Sequence, residues 1–190
     1  MNKLIKKLKS IPKGYFTLMD VKKITSFADD SLSVAMSRLA RSGEIIRISK
    51  GIYSVDSSQI DWENFACEVY SPSYISFESA LAMHNILSQR PTHITMATSN
   101  RSKQLIMESR NIIYHHIKRD LFWGYKLVDG ALLADEEKSL LDLLYLSMHG
   151  YAKFDSEEMN LKLLNKTRLN KYLKEFDIPQ MNKVIDKLRI

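Results

Sequence analysis

One cysteine, four prolines, six glycines and no run of 18 apolar residues mark this 190-residue chain by what it has little of. A lone Cys67 cannot close an internal disulfide or supply a cysteine-based zinc cage, which fits a reducing compartment. The scarcity of proline and glycine excludes collagen-like repetition, and 45% hydrophobic residues exclude a disordered chain. Without a long apolar run, no membrane-spanning helix is expected. The opening Met1-Asn2-Lys3-Leu4-Ile5-Lys6-Lys7-Leu8-Lys9 is basic but lacks the apolar stretch and small-residue cleavage site of a secretory signal, so the expected location is the cytoplasm. Glycine-rich phosphate loops are absent. No two of His84, His93, His115, His116 and His149 have three residues between them, the spacing that sets two zinc ligands on one helix face. Neither a metal nor another cofactor is expected.

The charge is unevenly placed. Residues 1–56 hold 11 Lys and Arg against 5 Asp and Glu, a net of +6, whereas residues 57–190 hold 17 of each sign. A basic segment joined to a neutral one predicts that the first part meets a polyanion, with nucleic acid the leading candidate, and that the second does something else. A surplus of lysines that merely keeps a small domain soluble would give the same total. Spacing has to decide between them.

Leu4, Ile5 and Leu8 recur at helical spacing among lysines until Pro12-Lys13-Gly14 breaks the pattern. Thr17 is placed to cap a second helix with Leu18, Val21 and Ile24 on its apolar side, ending before a turn-like Ser26 to Asp30. Asp30 or Ser31 can cap a third helix that runs to about Arg41, with Leu32, Ala35, Met36 and Leu39 in one stripe and Gly43 closing it. Its other face, carrying Ser31, Ser33, Val34, Ser37, Arg38 and Arg41, is small and basic, as close approach to a groove and pairing with phosphate or guanine require. Two β-rich runs, Glu44 to Ser49 and Ile52 to Val55, then flank Lys50-Gly51, which predicts a hairpin with Arg47 on one strand and Lys50 at its tip. In this order the elements resemble a winged helix-turn-helix domain over residues 1–56, with the third helix in a major groove and Arg47 and Lys50 beside phosphates. Winged domains also serve as protein-interaction modules, in which case Arg38 and Arg41 are solvated surface.

Beyond a linker expected near residues 56–60, Trp62, Phe65, Ala66 and Val69 have helical spacing, Ser71-Pro72-Ser73 interrupts, and Ser76 precedes a helix with Phe77, Ala80, Leu81 and His84 on one side. Strands are expected at 93–98, 104–108, 111–118 and 125–128. Asp135 should cap an apolar helix buried on most sides, and the tail from Ser156 to Ile190 should be helical, with caps at Ser156 and Thr167 and a break at Asp177-Ile178-Pro179. The expected class is α+β: a winged helix-turn-helix at 1–56, then at 57–190 a mixed domain with a small sheet and a helical carboxy-terminal tail.

Three stretches carry a wider resemblance: Lys50-Gly51-Ile52-Tyr53, Tyr74-Ile75-Ser76-Phe77-Glu78-Ser79-Ala80-Leu81-Ala82-Met83-His84, and Ala134-Asp135-Glu136-Glu137-Lys138-Ser139-Leu140-Leu141-Asp142-Leu143-Leu144-Tyr145. Together they resemble the AbiEi antitoxin family over nearly the whole chain, departing from it at Ser139, where alanine is usual, and at Asp135-Glu136, where a small residue and proline are common. The resemblance implies an antitoxin that represses its own operon by binding double-stranded operator DNA and counteracts a nucleotidyltransferase toxin through the larger domain. In many members no stable toxin complex is needed, so a direct protein partner is not assumed. Inverted repeats would suit two protomers, and one copy per half-site is equally compatible. The alternative is a stand-alone winged-helix regulator whose neutral domain senses a ligand or a protein partner.

No enzyme is expected. His84 lies on an apolar helical face and reads as a hydrogen-bonded core histidine, His115 and His116 would point to opposite faces of a strand, and Cys67 reads as a buried inert thiol. Glu136-Glu137-Lys138, with Asp129 upstream, has the acid-x-lysine spacing of metal-dependent nucleases, but consecutive acids opening a helix are accounted for by its positive end. The glycine-serine and paired-aspartate signature of the nucleotidyltransferase itself is missing.

Overall fold

The structure, a computed structural model, describes residues 3–25, 29–107 and 110–188. Ser26 to Ala28 of the expected turn, Glu108 of the expected strand 104–108 and Ile190 at the end of the expected tail lie outside the described residues. The chain is mixed α+β, with one three-stranded and one six-stranded sheet, and it divides into two compact units, Met1–Phe65 and Ala66–Ile190. That division falls after the polar 57–59 stretch at which the composition changes.

In the first unit α1 (Lys3–Lys9) buries Ile5 and Leu8 and carries the exposed Lys6, Lys7 and Lys9 toward its negative end. A short strand β1 (Phe16–Thr17) leads into α2 (Leu18–Ile24) through a reciprocal cap. The Asp20 N–H donates to Thr17 Oγ1 at 3.2 Å, and the Thr17 N–H donates to the Asp20 carboxylate at 3.0 Å. The next helix, α3 (Asp29–Arg41), starts at Asp29, so Asp30 and Ser31 sit in its first turn instead of capping it. An aspartate there suits the helix dipole as well as it suits a cap, which is why the sequence pattern placed the start one or two residues late. Past the end of α3, Gly43 takes φ +74° and the Glu44 N–H donates to the Leu39 carbonyl at 3.0 Å. Strands β2 (Ile46–Ser49) and β3 (Ile52–Ser54) form an antiparallel hairpin, and β1 pairs on the far side of β3. Ile5, Leu8, Phe16, Val21, Leu32, Met36, Leu39, Ile45 and Tyr53 make one core. The stretch expected as a linker is instead a 3₁₀ turn at Ser57–Gln59 capped by Asp56, with Ile60 buried after it. It closes on Gly14, where a Cβ would lie 2.4 Å from the Gln59 carbonyl oxygen. Helix α4 (Trp62–Val69) follows.

The sheet of the second unit takes β4 (Ser73–Ile75), β5 (His93–Thr98), β6 (Lys103–Ile106), β7 (Asn111–His116), β8 (Tyr125–Val128) and β9 (Ala131–Ala134) in the order β6-β7-β5-β4-β9-β8. β4 and β9 are corrections to the sequence pattern. Ser-Tyr-Ile and Ala-Leu-Leu-Ala lack a period-2 alternation, because strands inside a sheet covered on both faces have no solvent side to mark it. Register puts Ile75, Met96 and Tyr114 on one face and Tyr74 on the other. The Tyr114 hydroxyl donates to the Ala66 carbonyl at 2.7 Å, while Tyr74 points at α6 (Glu136–Met148). β8 turns into β9 through Asp129 and Gly130, both at positive φ, the geometry a two-residue hairpin loop needs. Between β4 and β5 lies α5 (Phe77–Met83), after Ser76 as expected.

Helix α6 is buried from Glu137 through Leu146, as its apolar content predicts, yet three of those residues are charged. Lys138 and Asp142, four apart on one face, are paired with no exposed surface on either residue. Asp142 also accepts from the Tyr74 hydroxyl at 2.9 Å and from Ser76 Oγ at 2.7 Å, and Lys138 Nζ donates to Tyr74 Oη at 2.8 Å. The ammonium faces the rings of Phe176, Trp123 and Tyr74 at 5.0, 5.1 and 5.4 Å. Burial holds the lysine below its ordinary pKa against the opposing pull of Asp142, and burial pushes Tyr74 well above its own. Gly124, at φ +75°, leaves room for the lysine stem, since a Cβ there would lie 2.9 Å from Lys138 Cγ.

The tail departs from expectation at its start. Ser156–Glu158 and Leu161–Leu163 are 3₁₀ turns, the first capped by Asp155 and not by Ser156. Helix α7 (Lys166–Phe176) is capped by Asn165 and not by Thr167, because buried Glu137 accepts the Asn165 N–H at 2.6 Å and so fixes where the helix begins. Arg168 is ion-paired with Glu136 at 2.7 Å and with Glu137, and the Tyr172 hydroxyl donates to Asp135 at 2.9 Å. The expected break is present: Asp177 takes φ +48°, and α8 (Pro179–Leu188) opens on the proline.

Asp142→Ala is expected to cost about 3–5 kcal/mol in urea unfolding of a Trp62→Phe background followed by the fluorescence of Trp123, because it strands a buried ammonium. The double variant Lys138→Met with Asp142→Leu should recover part of that loss, since the buried Tyr74 and Ser76 hydroxyls still lose their acceptor.

Candidate nucleic-acid interface

Helix α3 exposes the face opposite its core stripe. Leu32, Met36 and Leu39 are buried, while Ser31, Ser33, Val34, Arg38 and Arg41 are exposed and Ser37 is half-buried. The hairpin adds Arg47, exposed on β2, and Lys50, exposed at a tip where Gly51 takes φ +78°. A register shift between Arg47 and Ser49 bulges β2 and re-aims the side chains that follow. Ser37, Ala40 and Arg41 of the helix meet Arg47 and Tyr53 of the hairpin around a shallow depression of about 280 Å³.

Of the residues singled out by sequence, Ser37, Arg41 and Arg47 are therefore brought together. Ser31, Ser33 and Arg38 lie along the same helix outside the depression, and Lys50 stands at the hairpin tip. Ala40 and Tyr53 were not anticipated. Tyr53 pairs with Arg47 across the strands, stacks on Phe16 with ring centroids 6.4 Å apart, and is only 4% exposed. Cross-strand register is the signal that would have found it, and register is set by the bulge, which the sequence does not display.

The cations of this face are unspent. Among the described residues the side chains of Arg38, Arg41, Arg47 and Lys50 make no hydrogen bond or ion pair with the protein, whereas Lys7 Nζ donates to the Ile24 carbonyl at 2.9 Å and Lys23 lies 3.9 Å from Asp20. From Ser31 to Arg41 the helix has no carboxylate. A groove flanked by uncompensated guanidinium groups and lined by small side chains can admit a phosphate backbone and let donors reach base edges.

The other chemical candidates make the following contacts. His84 ends α5 with a side chain 12% exposed, its Nε2 2.7 Å from the Ala134 carbonyl oxygen and its Nδ1 3.5 Å from Glu136. His115 packs edge-on against Phe77 and is lowered in pKa by burial and by His93, while His116 meets the Asn100 carbonyl at 2.8 Å. Cys67 is half-buried and not fully buried as expected, with Sγ 3.7 Å from the Leu132 carbonyl oxygen. Glu136 pairs with Arg168 and Lys138 with Asp142, so the acid-x-lysine pair is split between two networks, and Asp129 occupies the β8–β9 turn.

Replacing Arg38, Arg41, Arg47 or Lys50 singly by alanine is expected to shift unfolding stability by no more than about 0.5 kcal/mol, the behaviour of side chains without protein partners; calorimetry of the four variants checks it. Compared with protein-family models and with curated proteins, the chain matches none.

Proposed function

We propose that the chain is a non-enzymatic DNA-binding repressor whose residues 1–56 act as a winged helix-turn-helix. In this reading α3 enters the major groove, and Arg47 and Lys50 lie against phosphates beside it. The observation that carries it is a set of four exposed cations on one helix face and one hairpin, Arg38, Arg41, Arg47 and Lys50, with no ion pair among the described residues, of which Arg41 and Arg47 meet at a depression they share with Ser37. The order α1, α2, α3, hairpin and the net charge of +6 on residues 1–56 support it further. For the larger unit, the resemblance of 74–84 and 134–145 to the AbiEi family supports an antitoxin that opposes a nucleotidyltransferase toxin without requiring a direct complex. Both roles belong in the cytoplasm.

Arg38→Ala and Arg41→Ala are expected to weaken binding to the DNA upstream of the coding region, each by about 1–3 kcal/mol where the arginine is bidentate to guanine. A phosphate contact would instead weaken all sequences alike and flatten the salt dependence. Unchanged affinity in both variants would sink the site assignment. For the second role, colony formation is scored in a host expressing the adjacent open reading frame alone, with the full chain, or with residues 57–190. Relief of toxicity is the expected result; a harmless neighbour, or unrelieved toxicity, favours the stand-alone regulator.

A further inference from the structure

Val34 is the one large apolar side chain that α3 leaves in water among the described residues, 51% exposed. At 3.6 residues per turn it lies about 20° around the helix axis from Arg41, about 40° from Arg38 and about 60° from both Ser31 and Ser37. Leu32 and Met36 lie about 160° away, which is the buried side. Val34 therefore occupies the midline of the exposed face, with arginines on either side of that line and serines beyond them. A β-branched residue is a poor choice for an exposed helix position on propensity alone, and about half of the Val34 side chain stays in water.

We propose that Val34 is a specificity-determining residue that packs against the C5-methyl group of thymine in the major groove. The proposal rests on the DNA-binding reading above and names what its helix reads. Among the groups that base pairs display in that groove, the thymine methyl is the apolar one; the others are hydrogen-bond donors and acceptors that suit the serines and arginines around Val34. The flanking cations fix the occupant as a polyanion. Their placement on both sides of the midline puts the isopropyl group over base edges when the guanidinium groups reach phosphates or guanines. The small side chains at 33, 37 and 40 let the helix approach closely enough for methyl contact.

The test uses the full-length protein and a fragment of the DNA upstream of the coding region, amplified with dTTP or with dUTP, which removes only the methyl groups. Wild-type protein should bind the uracil fragment about fourfold more weakly for each contacted methyl, the value of burying one such group. Val34→Ser should bind both fragments equally, and Val34→Ile should keep the preference. Both changes are at an exposed position and leave the core untouched, so circular dichroism should be unchanged. Equal affinity of the wild type for the two fragments, or a thymine preference that survives Val34→Ser, overturns the methyl contact while leaving DNA binding intact. Failure to prefer the upstream fragment to unrelated DNA of equal length overturns the DNA reading and the contact with it.

Discussion

The larger unit depends on an ammonium and a carboxylate that never meet water. Taking Lys138 and Asp142 out of solvent costs several kcal/mol per ion, and their mutual attraction offsets this only while the remaining donors and acceptors stay filled. Tyr74 and Ser76 fill them on the carboxylate side, and Tyr74 fills one on the ammonium side. The pair thereby ties α6 to the end of β4, and the ring of Trp123 before β8 and that of Phe176 in α7 complete the enclosure. An apolar core tolerates small shifts by repacking, but a hydrogen-bonded ion pair does not, so these contacts fix the helix in rotation as well as in depth.

Arginine has opposite roles in the two units. Arg168 is clamped between Glu136 and Glu137 and anchors the carboxy-terminal helices to α6. Arg38, Arg41 and Arg47 hold no carboxylate among the described residues. The fold supplies carboxylates freely elsewhere, and its net balance is even over residues 57–190, so leaving three guanidinium groups and Lys50 uncompensated on one small unit is a property of that surface and not of the composition at large.

Local signals made much of this fold legible. The Thr17 cap, the α3 stripe, the Lys50-Gly51 turn and the buried α6 all follow from spacing and turn chemistry within a few residues. What stayed hidden was nonlocal. β4 and β9 are too short and too uniformly buried to show a period, and only their neighbours make them strands. The cap at Asn165 is set by a carboxylate 28 residues away in sequence, and Tyr53 joins the depression through cross-strand register. The buried role of Lys138 was equally out of reach, because a lysine directly after two glutamates in a helix's first turn looks solvated until Gly124 and three aromatic rings close over it. On the candidate interface the helix residues were readable from periodicity alone; their meeting with Arg47 was not.

In the proposed reading, stability and recognition are carried by different residues. The buried charges are committed to each other and the fold is sensitive to them, whereas the exposed cations of α3 and the hairpin contribute almost nothing to folding. Helix α3 is held by Leu32, Met36 and Leu39 on one side, so substitutions on the opposite side leave its packing untouched. Exposed arginine and lysine side chains without ion pairs still lose rotamer freedom on meeting a polyanion, about 0.5–1.5 kcal/mol each. Binding energy at such a face goes into contacts and not into breaking ion pairs first.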